Sequence, residues 1–290
     1  MTGIGEGDPD MGIALLAISN VLMFVALVVI VTRVVCRFWV LQTEGLDDWF
    51  ALLAAFIASA MVVTMSIGVV NGTGKMEWDR DVDDVVLAKL RLATQILYTL
   101  ASTFIKISIL LLYRRIFPNL RIYIYVTIGF LGAMSLAFIF AAVFQCNPIA
   151  KLWSPENQQK LSCFPPLAFW CDVSAIYVAT DLWIMALPAR TIFGLQLPRK
   201  KKFFIMGLFG LGIFACGAAI ARLVYVVKLY IGHDPSWDVV PAYICSIVEI
   251  SLALVACSVP PLRPAVILLG DKISCYKRKS ISDVESPPDT

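Results

Sequence analysis

The sequence predicts an all-α protein, a bundle of seven membrane-spanning helices with its N-terminus outside and its C-terminus in the cytosol. Three observations predict it. With 59% hydrophobic and 16% charged residues in 290, and a mean hydropathy of +0.81, the chain has too little polar surface for a water-soluble globule of this size, so a bilayer must solvate it. Seven uninterrupted apolar stretches each reach the roughly 20 residues that a helix needs to cross about 30 Å of hydrocarbon. The basic residues, finally, gather on alternate connections.

The spans fall near 11–32, 49–70, 92–113, 122–144, 168–187, 203–228 and 240–259. All are long, continuous runs of Leu, Ile, Val, Ala and Phe, unlike the short alternating strands of a membrane barrel. The first follows "MTGIGEGDPDMG", which is acidic where a cleaved signal peptide carries basic residues, so it reads as a retained span behind a short outer N-terminus of residues 1–10. The second starts at "EGLDDWFALLAAF" and stops before "NGT", the third carries Lys106, and the fourth has no charge at all. The fifth carries Asp172 and Asp181, the sixth Arg222 and the seventh Glu249. Residues 264–290 form a basic tail whose Ser- and Pro-containing end reads as partly disordered. No internal repeat of the inverted-transporter kind is apparent.

Orientation follows from the flanking charges. One set of connections holds Arg33 and Arg37; Arg114, Arg115 and Arg121; Arg190 with "RKKK" at 199–202; and Arg263 with the basic tail. It outweighs the other set about two to one, and "EWDRDVDD" falls on the weaker side. The positive-inside rule assigns the richer side to the cytosol. Cys146 and Cys163 then share an outer loop, where an oxidising environment favours a disulfide between them, with Cys171 as a rival partner. Asn71 heads an N-glycosylation sequon that lies almost at the membrane surface. The runs "PRKKK" and "CYKRKS" suit anionic lipid as well as serving as topology signals, and Cys275 beside the second run is a candidate for S-acylation.

Asp47 and Asp48 start the second span from the cytosolic side, at headgroup level, where the positive end of a helix favours acids. They read as a helix cap and ionic latch that need not be buried. Arg33 and Arg37, spaced i to i+4 on one helix face, are their partners, with Arg114 and Arg115 as alternatives. Inside the bilayer, Lys106 and Asp181 both lie roughly 20 Å below the outer ends of their helices, so they can pair. Arg222, at roughly 9 Å, and Glu249, at roughly 13 Å, make a second pair, with Asp172 as a rival acid. Intramembrane charges are expensive and tend to mark functional sites. The four form either a polar pocket or relay, or a set of interhelical clamps, and Lys106 has the further option of snorkelling to the inner interface.

Several function classes are disfavoured. Retinal needs a buried Schiff-base lysine, and the seventh span "PAYICSIVEISLALVACSVP" contains none. The single histidine, His233, lies in an outer loop, and no metal-ligand cluster, activated nucleophile or phosphate-cradling loop appears. The chain is therefore read as a non-enzyme without metal or cofactor, and nucleic acid is not among its expected partners.

The pieces "GLDDWFALLA", "KISILLLYRRIF", "FQCNPIAKLW", "DLWIMALPARTIFGLQLPRKKK" and "EISLALVACSVPPLRP", in that order, resemble the fungal rhodopsin-domain integral membrane proteins. These include plant-pathogenicity receptor-like proteins and membrane proteins of secondary-metabolite clusters. The resemblance implies a seven-helix protein like a G-protein-coupled receptor, without retinal, and by motif position it marks Asp47, Asp48, Lys106, Cys146, Cys163, Asp181 and Glu249. The reading that follows is a receptor or sensor, most naturally in the plasma membrane, with a small-molecule ligand and a cytosolic signalling partner. The competing readings are a metabolite transporter or accessory protein, and a scaffold with no small-molecule site.

Overall fold

The computed structural model describes the backbone at residues 11–42, 45–74, 84–116, 118–146, 166–193, 199–231 and 235–285. Every regular element among them is helical. In chain order these are α1 (Met11–Val35), a π-helical turn (Cys36–Leu41), α2 (Leu46–Val70), α3 (Asp84–Ile116), a 3-10 turn (Pro118–Leu120), α4 (Arg121–Val143), α5 (Pro166–Phe193), α6 (Arg199–Ile231) and α7 (Pro235–Glu285). All seven α-helices contain a segment long and apolar enough to cross a membrane. The protein is therefore a multi-pass membrane protein.

Chain neighbours pack side by side from α1 to α4 and from α5 to α7. α7 also packs on α1, and α3 touches α2, α4, α5 and α7. Small residues set the tightest contacts: Ala51, Ala54, Ala55 and Ala58 recur along one buried face of α2, while Leu53, Phe56 and Val63 on its other side are exposed. Lipid tails are as apolar as leucine, so helices gain from close backbone approach rather than from hiding apolar surface. Most of the core joins α1, α2, α3, α5 and α7. A smaller cluster of Leu110, Ile124, Leu131, Ile184 and Leu187 ties α3 to α4 and α5.

The end of α2 explains the "NGT" motif. Thr73 N–H donates to the Gly68 carbonyl at 2.9 Å and Gly72 N–H to that of Val69 at 3.0 Å, with Gly72 at φ +99°. This is a Schellman cap, which needs a left-handed residue just past the helix. Asn71 donates its side-chain amide back to the Ile67 carbonyl and Thr73 is buried. Both residues of the sequon therefore serve the cap, the acceptor nitrogen included. Gly74, at φ +91°, brings this turn onto α1, where a Cβ would stand 3.1 Å from the Gly12 nitrogen.

The helices overrun the spans expected from composition, most of all α7. Its apolar segment, Trp237–Leu262, begins and ends close to the expected span, but the helix continues to Glu285. The stretch expected to be a partly disordered tail is thus helical through Glu285, because "AVILLGDKISCYKRKSISDVE" keeps a helix-compatible composition once past Pro264. Pro260 and Pro261 lie within α7 near the end of its apolar segment. Lacking N–H groups, they leave the carbonyls of Ala256 and Cys257 without their usual intrahelical donors.

Candidate functional site

The polar interior has two layers. The inner one is built on the pair of arginines four residues apart. Arg33, in the last turn of α1, points its guanidinium at both acids: Nη2 lies 2.8 Å from Asp47 Oδ2 and Nε lies 2.9 Å from Asp48 Oδ1. Arg37, in the π-helical turn, completes the ring, with Nη1 at 2.6 Å from Asp48 Oδ2 and Nη2 at 3.4 Å from Asp47 Oδ2. A π-turn widens the helix by one residue and commonly marks a functional irregularity. Here it carries Arg37 to the same acids as Arg33.

This quartet departs from the sequence reading in two respects. All four residues are buried, Arg33 and Asp48 at 1% exposure each, whereas headgroup-level acids needed no burial. Nor do the acids cap α2: the cap position is Gly45, with extended backbone and no side-chain cap. The physical reason is the arginines. Once both guanidiniums are folded in, they hold the carboxylates more strongly than free helix amides would, and two positive and two negative charges make a net-neutral group that can leave water. Gly45 permits the arrangement, since a Cβ there would collide with the Asp47 carboxylate. The alternative partner Arg114 instead donates to the Tyr125 hydroxyl.

Two further contacts tie the quartet to the bundle. Arg33 Nη1 donates to the Cys257 carbonyl at 2.6 Å, the acceptor that Pro261 frees. Ser108 donates to the Asp47 carbonyl at 2.7 Å. The inner layer therefore clamps α1, α2, α3 and α7 together, across a proline-interrupted turn of α7.

The second layer lies in the middle of the bundle. Lys106 Nζ stands 3.0 Å from Asp181 Oδ1, 2.9 Å from Thr180 Oγ1 and 3.2 Å from the Tyr177 carbonyl, over the Tyr177 ring. The ammonium is buried between helices and does not snorkel to the interface. Arg222 Nε lies 3.2 Å from Glu249 Oε2, Nη1 donates to Ser174 at 3.1 Å, and the guanidinium covers the Tyr98 ring. Tyr98 donates to Glu249 Oε1 at 2.5 Å. Glu249, not the rival Asp172, is thus the acid that faces Arg222. Arg222 Nη2 has no hydrogen-bond partner among the described residues.

A cavity of about 40 Å³ lies between the pairs, touching Lys106, Asp181, Glu249 and Ser102. It is water-sized, and apolar side chains such as Ile105, Ile109 and Ile250 supply most of its remaining wall. No group of three or more metal-ligating side chains occurs among the described residues. Cys146 is buried just beyond the end of α4, Cys163 lies outside the described residues, and the rival Cys171 is a free thiol.

Sequence reasoning missed the polar side chains that complete both layers. Tyr98, Ser102 and Lys106 recur every fourth residue on α3, and Ser174, Tyr177 and Asp181 recur at three and four residues on α5. These polar stripes inside apolar spans were the available signal. The Cys257 carbonyl had a signal as well, in the prolines that follow it.

Seven apolar helices with charges paired across their interior define a polytopic helical-bundle membrane protein. The chain belongs to the fungal rhodopsin domain family, whose profile, Fungal rhodopsin domain, matches residues 32–268. It is 36% identical over 166 residues to a SAT4 family membrane protein of Emericella nidulans, covering 55% of this chain and 43% of the relative. To Receptor GIN3 of Arthrobotrys oligospora it is 29% identical over 236 residues, covering 78% and 56%. To Fugralins biosynthesis cluster protein 2 of Gibberella zeae it is 27% identical over 171 residues, covering 56% and 42%. The chain spans about half the length of these curated relatives. No solved structure matches it significantly.

Proposed function

We propose that the protein is a receptor-like sensor, in the plasma membrane with its N-terminus outside, that works without retinal and without catalysis. One observation carries the reading: α3 and α7 each bond in both polar layers. On α3, Tyr98 and Lys106 hold the middle layer and Ser108 the inner one. On α7, Glu249 belongs to the middle layer and the Cys257 carbonyl to the inner one. Lys106 and Ser108 are about 3 Å apart along the helix axis, and Glu249 and Cys257 about 12 Å. Helices are stiff over such distances. A ligand that separates Lys106 from Asp181 moves α3 against α5, and the displacement reaches Ser108 and the quartet. The proline-interrupted turn of α7, released from Arg33, is then the element that changes shape on the cytosolic side, where a signalling partner would read it.

Retinal has no role in this scheme, since the seventh span carries no lysine. The ligand would enter beneath the outer loop, closed by a Cys146–Cys163 disulfide. The name of one relative, a receptor, supports the sensor reading. The name of another, a biosynthesis cluster protein, supports a second one, a transporter or accessory protein for a small metabolite. Ligand-dependent signalling in a cell reporter should fall at least tenfold in Lys106→Ala and in Asp181→Ala with surface expression retained. Substrate accumulation in proteoliposomes that needs no cytosolic partner would instead establish transport and overturn the sensor.

A further inference from the structure

The end of α3 and the start of α4 carry three arginines with no counter-charge among the described residues. Arg114, Arg115 and Arg121 form no ion pair among the described residues, and no acidic residue occurs anywhere from 85 to 155. The nearest cytosolic-side acids in the sequence, Asp47 and Asp48, are already taken by Arg33 and Arg37. Arg114 reaches from α3 to α4, donating to the Tyr125 hydroxyl with its guanidinium 5.7 Å from that ring's centre. Arg121 stands one helical turn before Tyr125, on the same face. The Arg114 guanidinium and the Tyr125 phenol therefore meet at one spot, and Arg121 lies within side-chain reach of it along α4.

The surroundings of that spot are apolar and outward-facing. Ile122, Tyr123 and Val126 are 78%, 60% and 67% exposed, and Tyr125 itself is half exposed, with aromatic rings at the depth where a headgroup layer meets hydrocarbon. An acidic cytosolic protein would have to sit against this lipid-facing side of α4. Headgroups of the adjoining leaflet would meet the same spot without displacing anything.

We propose that Arg114, Arg115 and Arg121, with Tyr125, form a binding site for an anionic phospholipid whose headgroup ends in a phosphate monoester. Guanidinium forks match phosphate oxygens two at a time, and three uncompensated cations favour a group carrying more than one negative charge over a singly charged diester. The exposed apolar face of α4 takes the acyl chains. These residues are distinct in sequence from the lysine and arginine runs at 199–202 and 277–279.

The test is native mass spectrometry of the full chain in detergent, titrated with phosphatidic acid, phosphatidylglycerol or phosphatidylcholine. Wild type should retain phosphatidic acid in preference to phosphatidylglycerol, and both over phosphatidylcholine. Arg114→Gln/Arg115→Gln/Arg121→Gln should weaken phosphatidic acid binding by about tenfold or more. Lys200→Gln/Lys201→Gln/Lys202→Gln, which removes the same charge, should leave that preference in place. Tyr125→Phe, which deletes one hydroxyl and keeps the packing, should cost a few-fold and guards against misfolding of the triple variant. Equal losses in both triple variants, or no preference for the monoester, would reduce the site to diffuse basic charge and overturn the proposal. So would binding of a soluble poly-glutamate peptide, rather than of lipid, that depends on the three arginines.

Discussion

Asp48→Ala is expected to destabilise the folded bundle by about 3–5 kcal/mol, the range for removing one partner of a buried ion pair. Asp48 is the most buried acid of the quartet and contacts both arginines, at 2.9 and 2.6 Å. Its loss leaves two guanidiniums with one carboxylate in a site that water does not reach. The effect should appear as a large drop in the midpoint of thermal or SDS unfolding in detergent, and as poor recovery of monodisperse protein. The charge count makes the cause separable from packing. Arg37→Met/Asp48→Asn restores neutrality with Arg33 and Asp47 still paired, and should recover a substantial part of the loss. Raising the salt concentration should change little, since buried pairs are poorly screened. A loss below about 1 kcal/mol, the value for an exposed pair, would mean that water enters the quartet.

The second large effect is expected at Glu249→Ala, again about 3–5 kcal/mol. Glu249 answers Arg222 and also accepts from Tyr98, so the substitution orphans a cation and a phenol together. Arg222 already has one nitrogen without a partner, which leaves it no local substitute. Glu249→Gln keeps an acceptor for Tyr98 while deleting the charge, and should fall between wild type and Glu249→Ala. Arg222→Met/Glu249→Gln should be milder than Glu249→Ala, because no unpaired charge remains. The readout is the same unfolding midpoint, and a double variant worse than either single one would rule out the pair as the cause.

The fold was legible in the sequence because hydrocarbon imposes one rule on every span: a helix long enough, with its backbone bonds satisfied internally. Partner choice was legible where helix geometry was simple. Lys106 and Asp181 were matched by depth alone, and Arg33 and Arg37 by their four-residue spacing. Burial of the inner quartet was not legible. Asp47 and Asp48 stand at the start of a span, where an acid is equally at home in water, and what draws them inward is a local widening of α1 together with the carbonyl freed by Pro261. Neither follows from residue pattern without three-dimensional packing. The far reach of α7 was obscured because the polar, Ser- and Pro-containing composition of the tail's end resembles disorder, and because prolines at 260, 261 and 264 remove intrahelical donors, one of which Arg33 replaces.

The central claim is that the middle and inner polar layers move as one. It is tested most directly by a fluorophore pair introduced at Trp39, on the π-helical turn, and at Leu268, beyond the α7 prolines, with distances measured by single-molecule energy transfer in nanodiscs. Lys106→Met, which breaks the middle layer and touches no residue of the quartet, should shift the Trp39–Leu268 distance distribution away from that of the wild type. An unchanged distribution in a folded Lys106→Met protein would contradict the coupling, and would leave the two layers as independent clamps.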